Sequence, residues 1–219
     1  MSTSTIRYKR IKQIVNDIYI KLNISKFPIN VFEIIGSFDN IKIVSYHRFM
    51  LDHNLTKEET FEILTSDEGC TDYFKPSNKY IIYYNDLDFK SDERIRWTLT
   101  HELGHILCSH YSSDNTKIFD DYLSESEYKI MEAEANYFTG LLLSNPVILH
   151  KLNIRSSHDI ETYCSISSEA ARYRYKFYKK WCKNNILTSS DRFIIRNFQS
   201  YLNSQRLEYL EFISFINSF

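Results

Sequence analysis

The sequence predicts an α+β fold, with a small three-stranded sheet in the first half of the chain and packed helices around and after it. Segments rich in β-branched and aromatic residues cluster between positions 41 and 85. From Ser91 onward the apolar positions recur at helical spacing. At 219 residues, 43% of them hydrophobic, the chain can fill one core and carry a smaller helical appendage, whereas two large domains would be a squeeze.

Taken in order, Ile11, Ile14, Val15, Ile18 and Leu22 predict an amphipathic N-terminal helix with Lys9, Arg10, Lys12 and Lys21 on its solvated face. Pro28 breaks the chain, and Val31, Ile34 and Ile35 predict a short second helix stopping near Gly36. "IKIVSY" (41–46) reads as a strand. Thr56 and Glu59 have capping-box spacing, so 56–64 reads as a helix. "CTDYF" and "KYIIYYN", separated by the turn composition "KPSN", read as a hairpin. Ser91 caps a helix with acids in its first turn, and Ser124 with Glu127 opens another, which Pro146 is expected to close. Beyond Asn153 every segment is a helix candidate, and a soft change in composition divides residues 1–152 from a helical C-terminal region, 153–219. No internal repeat interrupts this pattern.

Lys and Arg number 27 against 28 Asp and Glu, so no global field draws the chain to nucleic acid or an anionic membrane. The N-terminus has no apolar signal-peptide core, and no apolar run approaches the roughly 20 residues needed to span a bilayer. Cys70, Cys108, Cys164 and Cys182 lack C-x-x-C spacing and read as buried thiols. A cytoplasmic protein is the expectation.

The chemistry concentrates in "RIRWTLTHELGHILCSH" (94–110), where His101, Glu102 and His105 stand in H-E-x-x-H spacing. For this composition chance predicts about 0.015 such matches. Four residues on a helix bring both imidazoles to one face, one turn apart, where they can grip one metal ion. Glu102 is the candidate general base, taking a proton from the attacking water and returning it to the leaving amine. Ile95, Leu99, Leu103, Ile106 and Leu107 form a separate packing stripe, and Gly104 costs the helix about 1 kcal/mol relative to Ala unless another segment comes close there. A catalytic zinc needs a third protein ligand. The spacing H-E-x-x-H-x-x-G-x-x-H fails, since Cys108 stands at the Gly position and His110 falls one residue short. Glu132 and Glu134 in "SEYKIMEAEANYFTGLLLSNP" remain. Glu134 shares the more apolar stripe with Ile130, Phe138 and Leu141; Glu132 lies among the small residues that let two helices approach, with Asn136 one turn on to support a ligand. Residue physics leaves the two open.

These residues resemble the ImmA/IrrE metallopeptidases, through "RIRWTLTHELGHILCSH" and through "EAEANYFTGLLLSNP", which is similar to that family's E-x-x-A-N segment. Weaker similarity extends over roughly residues 10 to 178, and Thr139, Gly140 and "SNP" depart from the family pattern. The resemblance implies a compact zincin-like domain in 1–152, one zinc ion per chain, and Glu132 as third ligand beside His101 and His105. It also implies a cytoplasmic endopeptidase acting on a helix-turn-helix repressor of a mobile element or stress regulon. In such folds a substrate strand pairs with a sheet edge beside the active helix, and "KYIIYYN" is the expected edge.

Two other functions compete. "HDIETYCSISSEAARYRYKFYKKW" resembles a helix-turn-helix, with Arg172, Arg174, Lys176, Lys179 and Lys180 on its second helix, but the interleaved aromatics leave little clean basic face, which favours packing over direct DNA binding. The other is a zinc-binding regulator without proteolysis. His110, Tyr137 and Tyr173 are candidate transition-state donors, and the sequence does not choose among them.

Overall fold

The computed structural model describes residues 5–87, 90–111, 124–184 and 186–218, and its class is α+β. The chain forms two compact units, one of Met1–Lys12 with Asn30–Gly140 and one of Gln13–Ile29 with Leu141–Phe219. Helix α1 covers Tyr8–Lys21 and α2 Val31–Gly36, both where the apolar spacing puts them.

In the first unit, β1 (Ile41–Ser45), β2 (Gly69–Phe74) and β3 (Lys79–Tyr84) form one sheet in the order β1-β3-β2. β3 pairs parallel with β1, from Ile41 opposite Tyr80 to Ser45 opposite Tyr84, and antiparallel with β2, from Gly69 opposite Tyr84 to Phe74 opposite Lys79. The expectation that "KYIIYYN" is an edge is therefore corrected: it is the central strand, and β1 and β2 are the edges. Its near-continuous apolar run belongs to a strand covered on both faces, with Ile82 and Tyr83 buried.

β1 ends at Ser45, one residue earlier than the strand composition suggests, because the Ser45 hydroxyl accepts from the Arg48 amide (3.2 Å) and starts a helix. That helix, α3 (Tyr46–His53), has no counterpart in the sequence reading. Helix α4 (Lys57–Leu64) has the expected box, Thr56 N–H donating to Glu59 (2.7 Å) and Glu59 N–H to the Thr56 hydroxyl (3.2 Å). Tyr46, Leu64 and Tyr83 form a small buried cluster under these elements.

Helices α5 (Asp92–Leu107) and α6 (Glu125–Leu143) carry the candidate chemistry. The Ser91 hydroxyl accepts from the Arg94 amide (3.3 Å), and Ser124 and Glu127 exchange bonds at the start of α6 (3.1 and 3.3 Å). α5 packs on β2, β3 and α2. Gly69 allows the sheet contact, since a Cβ there would meet the Thr98 methyl at 2.5 Å and the Tyr83 carbonyl at 2.8 Å.

The second unit holds α7 (Pro146–Lys151), α8 (Ser157–Cys164), α9 (Ser168–Lys183), α10 (Ser189–Asn197) and α11 (Gln199–Ile216). Pro146 does not itself close α6: the helix stops at Leu143, Asn145 caps, and Pro146 opens α7, where a missing N–H does no harm. Its core includes Val15, Tyr19, Ile148, Ile160, Ile194 and Phe198, and the Tyr19 hydroxyl donates to the Leu142 carbonyl (2.7 Å). Helices α8 and α9 do form the expected pair around "SIS". Arg174, expected on a basic face, is instead buried and donates to Ser144 through Nε to Oγ (2.7 Å) and through the guanidinium to the carbonyl (3.1 Å). The four cysteines are free; Cys108 and Cys164 are buried, whereas Cys70 and Cys182 are half-buried. No described helix is long and apolar enough to cross a membrane.

Candidate metal centre

Helix α5 projects His101 and His105 from one face, with their Nε2 atoms 3.0 Å apart. Helix α6 brings Glu132 against both, Oε2 at 3.3 Å from His101 Nε2 and Oε1 at 3.2 Å from His105 Nε2. The helices come this close because position 104 has no side chain: a Cβ on Gly104 would meet Phe138 Cδ1 at 3.0 Å and the Ala135 Cα and carbonyl oxygen at 3.3 Å. Tetrahedral zinc with ligands at about 2.0–2.1 Å separates its donors by roughly 3.3 Å. Two imidazole nitrogens 3.0 Å apart, with one carboxylate whose two oxygens stand 3.2 and 3.3 Å from them, thus fit zinc in donor chemistry and in spacing.

Electrostatics follow from the cluster. Burial works against ionisation of Glu132, but hydrogen bonds and charge from His101 and His105 outweigh it and hold the carboxyl far below its usual range. Burial works against charging His101 too, yet Glu132, Glu102 and a hydrogen bond with Asn136 carry it above its ordinary value. Asn136 thus touches a candidate ligand, as its place one turn beyond Glu132 suggests.

Glu102 is buried beside the pair, and the Thr71 hydroxyl on β2 donates to its Oε2 at 2.7 Å. The Tyr111 hydroxyl is buried near Thr71 and Glu102, and burial together with the Glu102 charge pushes its pKa well up. Edge strand β2, already packed on the H-E-x-x-H helix, thus places a hydroxyl on its buried carboxylate.

Glu134 lies in a different cluster. Its oxygens accept from the Arg7 amide (2.7 Å), from Arg7 Nε (2.9 and 3.0 Å) and from the Arg7 terminal guanidinium nitrogen, which also reaches the Cys108 carbonyl (2.9 Å). His110 Nε2 stands 3.0 Å from Glu134 Oε2, and His110 Nδ1 stands 2.8 Å from His105 Nδ1. Burial alone would raise the Glu134 carboxyl, but Arg7 and His110 hold it well below the usual range. Burial drives His110 down to about 4, only partly opposed by Glu134, and pushes the Cys108 thiol up to about 12. Cys108, His110 and Glu134 are also close enough to share an ion, but Arg7 already supplies the cation there.

The residues expected at the site from sequence, His101, Glu102, His105 and Glu132, are brought together, and Glu134 is turned to Arg7 and His110. Of the candidate donors, His110 is buried behind His105, Tyr137 packs edge-on against Tyr8 (4.9 Å), and Tyr173 is exposed. Sequence reading missed Arg7, Thr71 and Tyr111. Only Thr71 carried a signal, as a polar residue within the hairpin segment "CTDYF".

Residues 57–176 match the family model described as the IrrE N-terminal-like domain, peptidase family M78. No curated protein matches the chain. Among solved structures it is similar to a Mycobacterium tuberculosis transcriptional regulator, at 13% identity and a TM-score of 0.36, over 74% of this chain and 50% of that one. This chain thus spans about half the length of that regulator. The family match takes in more than half of the 219 residues, including α5 and α6 with all four clustered residues, and the chain belongs to the IrrE N-terminal-like family of M78 peptidases.

Proposed function

We propose that the chain is a zinc-dependent endopeptidase in which His101, His105 and Glu132 hold one zinc ion and Glu102 moves the proton. The observation that carries this reading is the convergence of two imidazole nitrogens and a carboxylate at 3.0–3.3 Å, beside a second, buried carboxylate. A bound zinc ion supplies Lewis acidity, polarising the scissile carbonyl and acidifying water. Glu102 keeps Oε2 against the Thr71 hydroxyl, so Oε1 is the atom that takes the proton from the attacking water and returns it to the leaving amine. Asn136 steadies the His101 ring. Edge strand β2, which supplies Thr71, offers its backbone to an extended peptide and would leave selectivity to side-chain pockets.

The substrate in this reading is a helix-turn-helix repressor of a mobile element or stress regulon, the class the family resemblance implies. The test is to look beside its gene for a small helix-turn-helix protein and to incubate the purified chain with it. About one zinc per chain is expected by elemental analysis, as for a single three-ligand site. Glu132→Ala should lose the metal, and Glu102→Gln should keep it and cut nothing. Unchanged cleavage by Glu102→Gln would sink the mechanism.

A further inference from the structure

Three residues join α8 to α9. Ser165 takes left-handed backbone (φ 50°) just past the end of α8, and the Ser167 hydroxyl accepts from the Ala170 amide (3.3 Å) and opens α9. The two helices pack on each other, with Ile160, Cys164, Ile166 and Ala171 buried. Along α9 the aromatics and the cations, interleaved in the sequence, separate onto two sides. Ala171, Arg174 and Tyr178 are buried and Tyr175, Phe177 and Trp181 half-buried, whereas Arg172, Lys176, Lys179, Lys180 and Lys183 are all exposed. Helical geometry puts these five within an arc of about 100°, along about 16 Å of axis. The clean basic face that the sequence pattern obscures is therefore present once Arg174 turns inward.

None of the five cations is ion-paired among the described residues; Lys176 lies over the Tyr173 ring (5.6 Å) and Lys179 over the Tyr175 ring (4.9 Å). Glu169, in the first turn, is the one acid in α9. In a chain of net charge −1 this is a local positive field, which an anionic partner relieves. An anionic membrane calls for apolar side chains beside the cations, and the arc holds none. A DNA duplex places one phosphate charge per about 1.7 Å, and its major groove, about 12 Å wide, admits an α-helix. The second helix of a pair joined by a short turn is the element that enters that groove, with its N-terminal residues at the base edges.

We propose that α9 is a docking surface for duplex DNA, with Lys176, Lys179, Lys180 and Lys183 against phosphates and Ser168, Arg172 and Tyr173 toward base edges. This binding function stands apart from the peptidase reading and depends on neither the metal nor Glu102.

The test is fluorescence anisotropy of the full chain with a labelled mixed-sequence duplex at several salt concentrations. Binding is expected in the micromolar range at low salt, its logarithm falling with the logarithm of salt at a slope of about −4, as for four or five phosphate contacts. Lys176→Ala combined with Lys180→Ala changes only exposed side chains, and should weaken binding about tenfold or more and reduce the slope by about 2. Lys75→Ala combined with Lys79→Ala removes the same charge from exposed positions around the hairpin turn and should leave affinity within about twofold. No binding at about 50 µM duplex, or equal losses from the two pairs, overturns the proposal. A single strand bound more tightly than the duplex overturns docking in the groove. Preference for poly-glutamate over the duplex overturns it in favour of an acidic protein partner.

Discussion

Gly104→Ala asks whether the candidate centre depends on how closely α5 and α6 approach. The new methyl would stand 3.0 Å from Phe138 Cδ1 and 3.3 Å from the Cα and carbonyl oxygen of Ala135. Carbon atoms rest at about 3.5–4.0 Å, so these contacts are short by a few tenths of an ångström. Phe138 can turn its ring, but the Ala135 backbone cannot turn aside, and α6 has to shift. Two stability effects oppose each other: Ala is a better helix former than Gly by about 1 kcal/mol, and overpacking costs about 1–3 kcal/mol. The net loss is then at most about 2 kcal/mol. The metal site is less forgiving, because ligand distances hold to within about 0.2 Å and Glu132 moves with α6. Zinc affinity should fall by about tenfold or more, equivalent to about 1.4 kcal/mol. Chelator competition measures this, with urea unfolding of the metal-free variant in parallel. Zinc affinity within about twofold of the parent, together with lost stability, would refute the coupling between helix approach and metal site.

Three further outcomes follow from particular contacts. Thr71→Val removes the hydroxyl that orients Glu102 and keeps its shape; a hydrogen bond to a charged group contributes about 1.5–3 kcal/mol, so peptidase rate should drop about tenfold or more with zinc content unchanged, and an unchanged rate would exclude an orienting role. Burial works against ionising Glu68, but Arg94 (2.6 Å) and Lys90 (2.8 Å) hold its carboxyl below the ordinary value. A depressed folded-state pKa stabilises fully above the unfolded value of about 4.3 and is lost as pH falls through the folded value. Glu68→Gln should therefore cost about 0.5–1 kcal/mol near pH 7 in urea unfolding, with the gap closing below about pH 4; a gap that persists in acid would reject the ion pair as its source. Arg174→Met removes two buried hydrogen bonds to Ser144 and should cost about 2–3 kcal/mol in thermal unfolding, a loss below about 0.5 kcal/mol contradicting it.

What the sequence made legible was whatever a rigid local period controls. His101 and His105 share a face because four helical residues leave them no other choice, and the Ser91, Thr56 and Ser124 caps follow from a hydroxyl placed three residues before an unpaired amide. Helix α3 was hidden because "YHRFMLDH" has no clean apolar stripe and follows a strand with no Gly or Pro between, so only Ser45 marks the switch. The order of the strands was hidden too: a hairpin names the neighbour of β3 on one side, whereas β1 reaches the other side through a connection holding α3 and α4. Glu132 and Glu134 could not be separated by periodicity, since the rotation of α6 is set by Gly104 against Ala135 and Phe138, a contact some 30 residues away in the chain. Arg7 lies 127 residues from Glu134, beyond the reach of any local pattern.

The two glutamates show how one helix gives the same side chain two electrostatic settings. Two residues apart, they point about 200° from each other around α6. Glu132 keeps 29% of its side chain in contact with solvent and meets two imidazole nitrogens that bind a metal ion as readily as a proton. Glu134 is 1% exposed and meets a guanidinium, a cation that neither leaves nor deprotonates. Between them stands His105, one nitrogen directed at the first carboxylate and the other tied through His110 to the second. A metal ion can compete directly for the first carboxylate, whereas at the second it would have to displace the Arg7 guanidinium. The difference between the two glutamates therefore lies in their environments, not in their identities.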